Sequence, residues 1–207
     1  MTQTATFAGG CFWCIASAFD GTKGVENIVS GYMGGHVDNP SYEHVCTGST
    51  GHAEVVQISY DSDLISYDAL LAVFFRQIDP TDEGGSFMDR GSQYRSAVFY
   101  HTQEQKQQAL DMIQKINDAK IFKSPVATEV VEAAQFFPAE TYHQDYHKKN
   151  PVQYKYYRWV PAARDLSPRH GMQKATTYLN PKIRAMALTL DHQIFREFVQ
   201  IQGGNNF

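Results

Sequence analysis

Two thiols stand three residues apart in the segment Gly9-Gly10-Cys11-Phe12-Trp13-Cys14. The pair follows a short apolar strand pattern, Ala5 to Ala8, and opens a helical one carried by Phe12, Ile15, Ala18 and Phe19. A helix N-terminus offers unpaired N–H groups and about half a positive charge, which favours thiolate over thiol and so makes a nucleophile. Thiol chemistry is therefore expected at Cys11 and Cys14. Glu54 is the second candidate. Strand alternation puts it on the face of Val56 and Ile58, and desolvation at the edge of an apolar layer raises a carboxyl pKa, as a general acid requires. Tyr32, Tyr42 and Tyr94 lie in the flanking loops, and a phenol can donate to a developing oxyanion without carrying charge.

The elements that must position these groups alternate between the two periods, as in an α/β or α+β domain. Val55 to Tyr60 reads as a strand. Ser66 caps a helix with a buried stripe of Tyr67, Leu70, Leu71, Phe74, Phe75 and Ile78, ended by Asp79-Pro80. Arg95 to Tyr100 reads as a strand, Thr102 with Gln105 as a capping box ahead of Ala109, Met112, Ile113 and Ile116, and Thr128 to Ala133 as a third strand. Between them run three long polar segments, Gly31 to His52, Asp79 to Tyr94 and Ala134 to Tyr157, of a length that usually carries function. Asn180-Pro181 begins a further helical stripe that closes at Gly203-Gly204.

The chain has 207 residues, 43% of them hydrophobic, enough for one full core and an appendage. We read a domain over residues 1–160 and a C-terminal extension over 161–207, helical and docked on the core or a second subunit. The extension carries six Lys/Arg against three Asp/Glu, where the first 160 residues carry 12 against 19. A net charge of −4 without a basic stripe gives no general attraction to nucleic acid. Met1 to Phe7 lacks the features of a signal peptide, and the longest apolar run, Leu70 to Phe75, is too short to span a bilayer. The expectation is a soluble, cytoplasmic protein with no membrane partner. Three cysteines argue for reduced thiols in use, not for a disulfide framework.

Six segments appear in one order. They are Gly9-Gly10-Cys11-Phe12-Trp13, Gly31-Tyr32-Met33-Gly34-Gly35, Asn39-Pro40-Ser41-Tyr42-Glu43-His44-Val45-Cys46, Thr50-Gly51-His52-Ala53-Glu54, Asp89-Arg90-Gly91-Ser92-Gln93-Tyr94-Arg95-Ser96 and Tyr142-His143-Gln144-Asp145-Tyr146. Together they resemble the signature of the peptide methionine sulfoxide reductase A family, over about three quarters of the chain. The resemblance implies a two-layer α/β sandwich: a mixed sheet, flanking helices and long coil after the last strand. It implies that Cys11 attacks the sulfur of methionine sulfoxide while Glu54 protonates the oxygen, with Tyr42 and Tyr94 hydrogen-bonded to that oxygen. Phe12 and Trp13 would form the pocket for the substrate methyl group, with Asp89 and His52 supporting the site. The family acts on the S epimer, in proteins and as free methionine sulfoxide, and needs neither metal nor organic cofactor. The product sulfenic acid condenses readily with a nearby thiol.

Many family members have glycine at position 14 and resolve with cysteines near the C-terminus, whereas this chain has none after Cys46. Resolution falls to Cys14, to Cys46 or to an external thiol. A Cys-x-x-Cys pair at a helix start can close a disulfide, so Cys14 is the expected partner, with thioredoxin as the reductant. Cys46, between Val45 and Thr47, reads as a small buried apolar residue. Ala16 replaces a common family glutamate, with little expected consequence. Two other readings compete. A thioredoxin-like dithiol oxidoreductase would share the Cys-x-x-Cys but have no use for Glu54 or the tyrosines. A zinc module would need Cys11, Cys14, Cys46 and His44 or His52 to converge.

Overall fold

A computed structural model of the chain describes residues 1–86 and 89–156. Its centre is a six-stranded sheet of β1 (Thr2–Gly9), β2 (Val25–Met33), β3 (Ala53–Asp61), β6 (Ser96–Tyr100), β7 (Glu129–Glu132) and β8 (Phe137–Pro138). The strand order is β7-β6-β1-β3-β2-β8, with β7 parallel to β6 and every other pair antiparallel. A separate two-stranded hairpin joins β4 (Gly85–Ser86) to β5 (Asp89–Arg90).

Helices α1 (Phe12–Phe19), α3 (Tyr67–Phe75) and α4 (Gln103–Asp118) cover one face. Alternation decides what that face receives. In β3, Val56, Ile58 and Tyr60 enter the helix-side core, while Ala53 and Val55 enter a smaller cluster behind the sheet with Met33, Ala97 and Phe99. Phe7 anchors the larger core, its ring 4.9 Å from Phe74, 5.7 Å from Phe19 and 6.1 Å from Tyr67. The mixed sheet with helices layered on it is the expected two-layer sandwich.

The predicted caps are present. Ser66 Oγ accepts the Ala69 N–H and Thr102 Oγ1 the Gln105 N–H, each at 3.2 Å. Gln105 reaches back to the His101 N–H at 2.8 Å, one residue before the cap. Helix α3 ends at Phe75, short of Asp79-Pro80, though Ile78 is still buried.

The three long segments hold more structure than their composition suggested. Gly31 to His52 contains the end of β2 and the short helix α2 (Tyr42–Cys46); Asp79 to Tyr94 contains the hairpin and a 3-10 turn, Ser92–Tyr94. Among the described residues after β8 come a 3-10 turn at Thr141–His143, α5 (Tyr146–Lys149) and helical residues 151–156. The helix predicted from Asn180 lies outside the described residues.

Candidate active site

The site forms where β1 stops. Gly10 turns the chain at φ +87°, and a Cβ there would lie 2.4 Å from Ser86 Cβ of the hairpin, so only glycine fits. The turn places Cys11 at the N-cap of α1, its carbonyl accepting the Cys14 N–H at 3.0 Å. Cys11 is buried, 7% exposed, and Cys14 is half-buried within hydrogen-bonding reach of the Cys11 sulfur.

The expected thiolate preference is not what the geometry gives. Burial raises the Cys11 pKa, and the Cys14 thiol and the carboxyls of Glu54 and Asp89 raise it further. The Cys11 side chain makes no capping bond to the helix N–H groups. Desolvation and acidic neighbours therefore outweigh the helix terminus, and the resting group is a thiol.

Glu54 is where its strand parity put it, opposite Tyr32 in the β2–β3 register and 2% exposed. Its Oε2 accepts the Phe12 N–H at 3.0 Å. Burial pushes its pKa up to about 8 against that bond, with help from Asp89 and Cys14, so the carboxyl is protonated at neutral pH.

Tyr42 begins α2, which is capped by Ser41 Oγ on the His44 N–H at 3.3 Å. Tyr94 closes the Ser92–Tyr94 turn. Both are half-buried, burial and the nearby Glu54 raise both phenols, and both remain donors. Their hydroxyls meet at the sulfur of Cys46. Cys46 is thus half-buried with polar partners, not the apolar filler expected. It sits four residues after Tyr42 on α2 and so shares its face.

Phe12 and Trp13 wall the site with Tyr42 and Tyr32, Phe12 lying 6.4 Å and 6.0 Å from these two rings. Asp89, on β5, is half-buried and acts electrostatically on Cys11, Glu54 and Tyr94. His52 is tied into the loop that follows β2. Its Nδ1 accepts the Gly35 N–H at 3.0 Å and its Nε2 meets the Val37 carbonyl at 2.7 Å, so both nitrogens brace a loop. A side chain on Gly35 would strike His52 N and Thr50 O at 2.4 Å. Among the described residues no group of three or more His, Cys, Asp or Glu is placed to hold a metal ion, so the zinc grouping is not assembled.

Residues 139–146 supply contacts that sequence reasoning missed. Glu140 Oε1 accepts the Tyr42 N–H at 2.8 Å and its Oε2 the Tyr32 hydroxyl at 2.9 Å. Gln144 pairs with both backbone groups of Ser30, each at 2.9 Å, and His143 and Tyr146 hold Trp13. The signal for His143, Gln144 and Tyr146 was the Tyr142-His143-Gln144-Asp145-Tyr146 segment, which carried no assigned roles, and Glu140 lies outside it.

An uncharged cysteine lies beside a protonated carboxyl and two phenols on a helix-layered mixed sheet, an arrangement of groups that can combine thiol chemistry with proton donation. The sequence profile described as peptide methionine sulfoxide reductase matches residues 3–175. The chain is 53% identical over 156 residues to the peptide methionine sulfoxide reductase MsrA of Bacillus licheniformis, covering 75% of this chain and 86% of that one. It is 52% identical over 156 residues to MsrA of Bacillus subtilis, with 75% and 88% covered. Among solved structures it resembles Mxr1 from Saccharomyces cerevisiae in reduced form, with a TM-score of 0.68, 28% identity and 86% and 92% of the two chains covered. Methionine sulfoxide reductase A of Corynebacterium diphtheriae gives 0.66 and 29%, with 84% and 82% covered. The chain belongs to the peptide methionine sulfoxide reductase family.

Proposed function

We propose that the chain reduces the S epimer of methionine sulfoxide, in oxidised proteins and as the free amino acid, to methionine. The observation that carries this reading is the Phe12 N–H to Glu54 bond at 3.0 Å, which fixes a protonated carboxyl beside the Cys11 thiol. Cys11 sulfur attacks the sulfoxide sulfur while Glu54 gives its proton to the oxygen. Tyr42 and Tyr94 turn their hydroxyls from Cys46 to that oxygen, as two donors pre-placed for the charge that develops there. In the adduct the protonated oxygen passes from the substrate sulfur to Cys11 sulfur as the sulfur–sulfur bond and the substrate sulfur–oxygen bond break; methionine leaves, Cys11 is left as a sulfenic acid, and the thiol proton resets Glu54. Phe12 and Trp13 enclose the methyl group, and Asp89 keeps the Glu54 proton in place by its charge.

Cys14, already in contact with Cys11, then attacks the sulfenic acid, forming the Cys11–Cys14 disulfide and releasing water. A reduced thioredoxin returns both thiols by exchange. This cycle requires a reducing compartment, and the free thiols suit the cytoplasm. No helix among the described residues is long and apolar enough to cross a membrane. Residues 1–160 form the catalytic domain and 161–207 an appended extension.

The test is incubation with racemic blocked methionine sulfoxide and dithiothreitol, with the epimers resolved by chiral chromatography. Loss of the S epimer alone, abolished in Cys11→Ser, is expected. Persistence of both epimers would move the thioredoxin-like reading to the front.

A further inference from the structure

His143 is almost fully enclosed, 2% exposed, yet carries two polar nitrogens into a ring of aromatic side chains. Its ring centroid lies 4.3 Å from Tyr42, 5.0 Å from Phe12 and 5.6 Å from Trp13. Packing alone would be met by phenylalanine. What the imidazole adds is an acceptor: the Trp13 indole Nε1–H donates to His143 Nδ1 at 3.2 Å.

That bond fixes the tautomer. With Nδ1 accepting, a neutral ring carries its hydrogen on Nε2. Nε2 is buried without a hydrogen-bond partner, and the Glu140 carboxylate stands 4.0 Å away, beyond reach. A buried donor is thus left unmatched on one side of the ring while the other side holds Trp13. Such an arrangement is unfavourable as packing and intelligible only through the indole contact.

Trp13 needs holding. It sits in the first turn of α1, half-buried, with the Phe12 ring 6.2 Å away. Tyr146 stacks on it at 3.7 Å and 7°. Both restraints come from one segment, which Glu140 ties to Tyr32 and Tyr42 and Gln144 ties to Ser30. Stacking permits sliding, whereas the indole bond is directional and so bears on the ring's angle.

We propose that His143 is a positioning residue that holds the Trp13 indole in the orientation that closes the methyl pocket. This rests on the reading of Phe12 and Trp13 as that pocket. His143 touches neither the sulfoxide nor Cys11 in this scheme, and its effect is on binding.

The orientation depends on the charge state of the ring. Protonation puts a hydrogen on Nδ1, where it meets the indole N–H head-on. Burial lowers the His143 pKa, while Glu140 and Glu43 pull it upward. The phenols that face it, Tyr42 at 4.3 Å and Tyr142 at 4.2 Å, are uncharged in acid. The indole contact is therefore intact at neutral pH and lost as pH falls through the His143 titration, below the ordinary histidine range of about 6.5.

The experiment follows the Trp13 indole ¹H–¹⁵N resonance in full-length Trp159→Phe protein, which leaves one tryptophan, alongside steady-state kinetics on blocked (S)-methionine sulfoxide. His143→Phe should move the resonance upfield and raise KM by about five- to tenfold, the size of one neutral hydrogen bond, with single-turnover reduction at saturation nearly unchanged. His143→Gln, which restores an acceptor, should keep the resonance and most of the affinity. The wild-type resonance should shift on acidification, and neither variant's should. An unmoved resonance in His143→Phe, a KM equal to wild type, or a loss confined to the chemical step would each overturn the proposal. If His143→Phe does not fold, a wild-type indole resonance that stays fixed below neutral pH overturns it. Failure of the reductase reading is separate: wild type would then consume no sulfoxide, whatever the resonance does.

Discussion

The Phe12 backbone N–H and the Glu54 carboxyl, 42 residues apart, are joined by a 3.0 Å hydrogen bond that locks the turn bearing Cys11 to the acid on β3. Because Glu54 is buried, its pKa is pushed up to about 8. The active form is the protonated one, so kcat/KM should hold at neutral pH and fall as pH rises through about 8. Thiolate formation at Cys11 cannot reverse this fall, because its pKa is raised well above the ordinary thiol value. Glu54→Gln should lose about 10²- to 10⁴-fold in kcat/KM, the usual worth of a general acid, and lose the alkaline limb with it. A pH–rate profile of both proteins checks this.

The phenols of Tyr42 and Tyr94 converge on Cys46 sulfur, and the proposed mechanism turns both to the sulfoxide oxygen. Tyr42→Phe and Tyr94→Phe should each lower kcat/KM by about 10²-fold, as removal of one preorganised donor does. The double variant should lose more than either alone. Stopped-flow single turnovers on the three variants decide it, and equality with wild type would remove the phenols from the mechanism.

The legible parts of this molecule are those fixed by local pattern. The parity of β3 buried Glu54 correctly, and Ser66 and Thr102 announced their helices. Strand β2 escaped notice because a bulge between Val25 and Asn27 shifts its pairing with β3 and breaks the alternation on which strand reading depends. Cys46 was misread for a related reason: its tie to Tyr42 is an i, i+4 relation on a helix of five residues, too short to show a period. Glu140 and His143 act across more than 90 residues of chain, on Tyr42 and Trp13, and no spacing encodes such contacts. The Cys11 pKa went the other way from expectation because burial, and after it the Cys14 thiol and the carboxyls of Glu54 and Asp89, raise it, and only the folded chain brings these about.

The proposed resolution of Cys11 by Cys14 needs little rearrangement, since the N-cap and third helical positions already bring the two side chains within hydrogen-bonding reach. Cys14→Ser should form one methionine per chain and then stall when thioredoxin is the only reductant. Wild type should turn over continuously. Mass spectrometry after one equivalent of substrate should find Cys11 joined to Cys14 in wild type. A Cys11–Cys46 disulfide there would overturn the assignment and return Cys46 to the resolving role.

Burying a carboxyl that the unfolded chain would ionise carries a stability cost that depends on pH. The folded Glu54 pKa of about 8 lies above its ordinary value of about 4.3, so between those values the folded state holds a proton that the unfolded state has released. The contribution of Glu54 to stability is therefore fully present below about pH 4, declines as pH rises, and levels off above about 8. Glutamine has the same shape and does not titrate. Glu54→Gln should consequently melt higher than wild type at neutral pH despite its lost activity, and the gap in Tm should widen from pH 5 to 8 and then stay constant. Thermal denaturation at four or five pH values measures the gap. A Tm difference independent of pH would mean that Glu54 titrates near its ordinary value, and the assignment of Glu54 as a proton donor at neutral pH would fall with it.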